Sequence, residues 1–270
     1  MQPTPFQDLI ERINATLAPI KHIVAVLSGK GGVGKSLVAS SIAICASLSG
    51  KKVAIFDADI HGPSIPWIIG VENMFVTMTL EGKIKPVERD SLAILSIELL
   101  LDKKASPVIW RGPLKARTIL DLLSRTDWGE RDLLVIDLPP GTGDEALTIA
   151  QFLKNHIDGA LLVLTPGLMV SHIVTKAREF LKLLGIPLLG TVINMAYFRC
   201  PNCGSIHYIL GSYPGDEASE VIAEIPIDPE LAKVVENGQL YDFLRTSNRE
   251  SAQKLRELTR VVLSRLGVQS

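Results

Sequence analysis

Gly29-Lys30-Gly31-Gly32-Val33-Gly34-Lys35-Ser36 fits the spacing G-x-x-x-x-G-K-[ST] of a loop that cradles phosphates. It follows the apolar run Ile23 to Leu27 and precedes a helix-like stretch from Lys35 to Leu48. The glycines let the backbone turn its N–H groups inward toward phosphate oxygens. The helix start adds the positive end of its dipole. Lys35 has the reach for β- and γ-phosphates, and the Ser36 hydroxyl is a ligand for Mg²⁺. A second lysine, Lys30, directly follows the first glycine and is the more discriminating feature of the loop; a solvated loop residue is the plainer alternative.

Carboxylates are spaced to complete such a site. Asp57-Ala58-Asp59 closes the strand-like run Val53 to Phe56, and two carboxylates there suit a Mg²⁺-water site and the orientation of an attacking water. Leu133 to Ile136 is an apolar run ending in Asp137, expected in or near the second shell of Mg²⁺. The following Pro139-Pro140-Gly141-Thr142-Gly143-Asp144 reads as a rigid, glycine-hinged loop in which the Gly141 N–H can sense a γ-phosphate. Val192-Ile193 ends in Asn194, whose carboxamide both donates and accepts and can therefore read an adenine edge. Pro226 and Asp228, within Ile225 to Pro229, are candidates for the other wall of a base pocket; an ordinary turn explains them equally well.

Cys200-Pro201-Asn202-Cys203 forms a C-x-x-C pair, followed by Gly204 and His207. Its bend brings two thiolates close enough to share a metal or cluster. Three readings stay open on the residues alone: a redox dithiol, a zinc site using Cys200, Cys203 and His207, or a metal group shared between two subunits. Cys45 lies among Ile42, Ala43, Ile44 and Ala46 and reads as a small core residue.

The elements that must hold these residues alternate. Strand-like runs at Ile23 to Leu27, Val53 to Phe56, Leu92 to Ile97, Leu133 to Ile136, Ala160 to Leu164 and Leu188 to Ile193 are separated by helix-like stretches near Leu114 to Leu123, Glu145 to Leu153 and Val170 to Leu184. That rhythm predicts a doubly wound, mostly parallel α/β sheet covered on both faces. Phe6, Leu9, Ile10, Ile13 and Leu17 share one face of an N-terminal helix within residues 1–20. Met74 to Pro86 reads as an edge hairpin, residues 199–215 as an inserted cysteine loop, Ala223 to Pro226 as a last short strand, and Ser251 to Leu266 as a closing helix. Residues 1–270 are expected to form one domain.

Composition narrows the class. The chain has 270 residues, 47% of them hydrophobic, and 28 basic against 29 acidic residues. It can bury a full core, and it offers no general polyanion-coating charge. Three cysteines are too few for a disulfide framework and point to a reducing compartment. No run of about 18 apolar residues predicts a membrane span. Cytoplasmic location is expected, without nucleic-acid or membrane partners; the basic residues of the closing helix read as a solvated face.

Together these segments resemble the Mrp/ApbC/Nbp-type iron–sulfur carrier ATPases, a branch of the MinD/ParA class with a deviant Walker A loop. The resemblance is carried by Gly29 to Ser36, Asp57 to Ser64, Trp110-Arg111-Gly112-Pro113, Asp137 to Asp144, Asn194-Met195 and Cys200 to Gly204. It implies a P-loop fold of the MinD, ParA and nitrogenase-iron-protein type. It also implies a homodimer in which Lys30 reaches the partner's nucleotide, Asp59 is the switch I residue near the attacking water, and Asn194 holds the base. Two C-x-x-C pairs, Cys200 and Cys203 from each chain, would bridge one [4Fe-4S] cluster passed to apo-proteins, with slow ATP hydrolysis coupled to loading or transfer. The alternatives are a MinD/ParA-like positioning ATPase without a cluster, and a zinc-bound dimer with regulatory ATP binding. The chain departs from the resembled pattern at Gly167, where a glutamine is common, and at Leu210 to Gly215, where a glycine-rich stretch is usual.

Overall fold

Runs of five or six apolar residues are too short for buried helices and long enough for strands covered on both sides. The computed structural model, which describes residues 5–100, 112–141, 143–167, 170–211 and 220–268, places them at the centre of one sheet. In chain order, α1 (Pro5–Leu17) leads into β1 (Ile23–Ser28), α2 (Lys35–Leu48), β2 (Val53–Asp57) and the short α3 (Ile65–Ile69). A two-stranded hairpin, β3 (Thr77–Met78) and β4 (Ile84–Lys85), precedes β5 (Val87–Arg89) and β6 (Leu92–Ser96). Then come α4 (Gly112–Ser124), β7 (Leu133–Asp137), α5 (Asp144–Leu153), β8 (Gly159–Leu164), α6 (Val170–Leu184) and β9 (Leu188–Arg199). The chain closes with β10 (Ile206–His207), β11 (Val221–Ile227), α7 (Pro229–Glu236), α8 (Leu240–Thr246) and α9 (Glu250–Arg265).

The main sheet runs β10-β9-β8-β1-β7-β2-β6-β5, with β11 also paired to β9. Pairings from β11 through β9, β8, β1, β7 and β2 to β6 are parallel; β5 and β10 add antiparallel edges. Successive strand residues point to opposite faces, so each strand feeds two cores. Ala25 and Leu27 pack with α1, α4, α5 and α6, whereas Val24 and Val26 pack with α2, α7, α8 and α9. This is the expected doubly wound arrangement. It brings the loops leaving the carboxyl ends of β1, β2, β7 and β9 to one edge, where open α/β sheets bind their ligands.

The structure extends the sequence reading in three places. β9 continues past Ile193 to Arg199 and pairs back with β10, so the residues read as an inserted loop begin as the turn of a β-hairpin. The short helices α3, α7 and α8 were not legible from periodicity; α3 and α7 each begin with a proline in the first turn, which reads as a turn signal. The basic residues of the closing helix are not all solvated: Arg256 donates to the carbonyls of Leu244 and Ser247, and Arg265 to that of Leu189. Trp110, Arg111, Thr142 and 212–215 lie outside the described residues.

Phe56, fully buried in β2, meets Trp128 edge-on with ring centroids 6.0 Å apart. Phe56→Ala should lower unfolding free energy by about 3–5 kcal/mol, measured by denaturant titration.

Candidate nucleotide and thiol sites

Gly34 caps α2 in the left-handed region, at φ 84°. A Cβ there would also lie 2.2 Å from Nδ2 of Asn194, so this position has neither the backbone freedom nor the space for a side chain. From that cap the helix begins with Lys35, whose Nζ reaches Asp137 Oδ1 at 2.6 Å, and Ser36, whose Oγ donates to Asp137 Oδ2 at 2.6 Å. A cavity of about 610 Å³ opens over this helix start. Lys30, Gly31, Gly32, Gly34, Lys35, Ser36, Asp59, Asn194, Pro226 and Asp228 all line it. Gly29, Val33, Asp57, Asp137 and Gly141 are not on its wall. Gly29 packs against Ile173, and the Val33 carbonyl accepts a hydrogen bond from Asn194 Nδ2 at 2.9 Å.

The three aspartates occupy different environments. Asp57 is buried and accepts from Ser96 Oγ at 3.1 Å and from the N–H groups of Asp59 and Ile65. Burial, reinforced by the charge of Asp137, pushes its carboxyl up to about 8. Burial also pushes Asp137 up, against the pull of the Lys35 ammonium and the Ser36 hydroxyl. Asp59 is on the cavity wall, its Oδ1 held by the N–H groups of His61 and Gly62. Asp59 thus faces the cavity, whereas Asp57 lies off its wall.

Two residues act differently from the expectation. The Gly141 N–H is committed to the Ser28 carbonyl at 2.7 Å, so in this conformation it fastens its loop to β1 rather than facing the cavity. Asp228 does line the cavity, but its carboxylate is structural: it caps α7 through the Glu230 N–H and accepts from Arg249 and Ser251. Burial raises its pKa, but those donors more than offset the effect and hold it below the usual carboxylate range. Met195, also on the wall, was missed; its φ of 56° inside a strand is a signal no sequence pattern carries.

The cysteine pair occupies the turn between β9 and β10. Cys200 N–H donates to the Ser205 carbonyl and Gly204 N–H to the Cys200 carbonyl, both at 2.9 Å. Cys203 is exposed, its Sγ 3.1 Å from Ser205 Oγ, and this contact, with help from Cys200, draws its pKa below that of a free thiol. Among the described residues no three His, Cys, Asp or Glu side chains gather as a metal site. The His207 ligand of a single-chain zinc site is thus not assembled with the two thiols. Cys45 is buried in α2, where burial pushes its thiol up to about 11, as befits a core residue.

A glycine loop between β1 and α2, a lysine and a serine at the helix start, and an acidic strand end on the neighbouring β7 define a P-loop NTPase. The chain belongs to the ParA family described as NUBPL iron-transfer P-loop NTPases, whose model matches residues 19–263. It is 42% identical over 225 residues to an iron–sulfur cluster carrier protein of Aquifex aeolicus, covering 82% of this chain and 61% of that protein. It is 38% identical to one of Saccharolobus solfataricus, covering 87% of this chain and 80% of that protein. A nucleotide-binding protein of Archaeoglobus fulgidus, solved in complex with ADP, superposes with a TM-score of 0.76 at 40% identity, covering 87% of this chain and 93% of that one. Among the described residues, no helix is long and apolar enough to cross a membrane.

Gly34→Ala should abolish ATP and ADP binding in a fluorescence titration while the thermal unfolding transition stays cooperative. A second outcome follows from Asp57. A carboxyl whose folded pKa is raised keeps its proton where the unfolded chain has lost it, so its contribution to stability falls as pH rises from about 4 through about 8. Asp57→Asn should flatten that decline in chemical denaturation measured across this range.

Proposed function

We propose that this chain is an ATP-binding and ATP-hydrolysing iron–sulfur cluster carrier. It works as a homodimer that holds its cargo through Cys200 and Cys203 and transfers it to apo-proteins. The observation that carries the reading is that one strand, β9, supplies Asn194 to the nucleotide cavity and runs at Arg199 directly into the turn that holds Cys200 and Cys203. The carrier names of the Aquifex and Saccharolobus relatives support the cargo. The ADP complex of the Archaeoglobus protein supports the nucleotide.

The residues present fit ATP with Mg²⁺. Gly31, Gly32 and Gly34 line the cavity together with Lys35 and Ser36, at a helix start that suits phosphate. Lys35 would neutralise phosphate charge; Ser36 would ligand Mg²⁺ directly, with Asp137 behind it and Asp59 holding a coordinated water. When bound, the nucleotide supplies a transferable phosphoryl group. Asp59 then orients the attacking water, and Lys30 of one protomer stabilises charge on the phosphates held by the other. Asn194 and Pro226 contact the base, with Asp228 shaping the same wall. Each turn provides two thiolates, short of the ligand set a [4Fe-4S] cluster needs, so two turns must meet. A reducing, cytoplasmic setting suits such thiols.

Anaerobic reconstitution should load iron and sulfide in equal amounts on the wild-type chain. Cys203→Ala should lose both while binding ATP normally. Zinc without sulfide would favour a zinc-bound dimer, and neither metal nor sulfide would favour a positioning ATPase. In steady-state assays Lys30→Ala should cut ATP turnover by about 10³-fold.

A further inference from the structure

The first residues of α9 touch both sites. Arg249 donates from Nε and Nη2 to the two oxygens of Asp228, each at 2.9 Å, and Ser251 Oγ donates to Asp228 at 2.6 Å. The residues on either side of Glu250 therefore grip one carboxylate, and that carboxylate belongs to the nucleotide cavity wall. Glu250 itself holds the cysteine side. Its Oε2 accepts Arg199 Nε at 2.7 Å, and its Oε1 accepts Arg199 Nη2 at 2.9 Å and Tyr197 Oη at 2.8 Å. Arg199 Nη1 continues to the carbonyl of Gly204 at 3.2 Å, next to Cys203.

A direct route along β9 is poorly suited to carry movement between the sites. Its pairing with β11 slips between Ile225 and Ile227, opposite Asn194 to Phe198, and Met195 within that stretch has a left-handed backbone. A bulge bends its strand and interrupts the ladder, so displacement can be absorbed there. The fork of Arg199 on Glu250 bypasses this weak point. A bidentate arginine–carboxylate pair fixes orientation as well as distance. With side-chain exposures of 46% and 31%, the pair adds little to stability, so its loss need not unfold the chain.

We propose that Glu250 is a positioning residue that couples the nucleotide cavity to the cysteine turn. A shift of the Asp228 wall moves the start of α9, and Glu250 passes the shift through Arg199 to Gly204 and Cys203. The inference rests on the nucleotide and thiol sites of the proposed function but not on the identity of the cargo.

The test uses the full-length, metal-free chain under reducing conditions. Alkylation of Cys200 and Cys203 by iodoacetamide is followed by peptide mass spectrometry, with and without a non-hydrolysable ATP analogue and Mg²⁺. Analogue affinity is titrated in parallel. In the wild type the analogue should change the alkylation rate by about fivefold or more. In Glu250→Gln the affinity should stay and the rate change should vanish. Tyr197→Phe, which keeps the ion pair, should retain the response. A residue that merely stabilised the turn would alter both rates equally and leave their ratio intact. Should Glu250→Gln fail to fold, Arg199→Lys, which cannot form the fork, is read in the same way. An unchanged response in the folded variant, or no response in a wild type that binds the analogue, would overturn the coupling. Failure of metal loading leaves this readout intact, and failure of analogue binding shows in the titration and overturns the nucleotide site itself.

Discussion

Asp137 is fully buried at the end of β7, and its two oxygens hold the Lys35 ammonium and the Ser36 hydroxyl at 2.6 Å each. A carboxylate taken out of water without partners costs several kcal/mol, so this residue is stable there only when the start of α2 is seated over it. Its backbone adds to the demand: the Asp137 carbonyl accepts the Ala58 N–H that begins the exit from β2. The next residues bind β1, Leu138 N–H to the Val26 carbonyl and Gly141 N–H to that of Ser28. Three strand exits are thereby fixed around one buried charge, and the glycine loop has one place to go. A ligand that takes over Lys35 and Ser36 must also rearrange the contacts that Asp137 organises.

The other half of the molecule depends on β9. It enters the sheet as an ordinary parallel strand beside β8, reaches the cavity at Asn194, bulges, and ends in the thiol turn. Asn194 ties it to the loop through the Val33 carbonyl, in the space that only a glycine at position 34 leaves open. The nucleotide site and the thiol site are thus two stations on one strand, with the start of α9 bracing both.

Much of this was legible in the sequence because the central strands are continuous apolar runs and the loop between β1 and α2 has fixed spacing. The acidic ends of β2 and β7 followed from the same pattern. What escaped was of two kinds. β10 spans two residues and α3 five, too short for any periodicity to register. The bulge at Met195 breaks the alternation of β9, so its continuation through Tyr197 to Arg199 looked like the start of a loop. The pairing of Asp228 with Arg249, and of Arg199 with Glu250, joins residues far apart in the chain whose charges look like solvated surface when read singly.

In the proposed function each chain supplies only Cys200 and Cys203 to a cargo that two chains share. Native mass spectrometry of the anaerobically reconstituted protein measures this directly. A dimer carrying one [4Fe-4S] cluster, with monomers free of metal, is the expected result. A monomer holding its own zinc ion or cluster would contradict it.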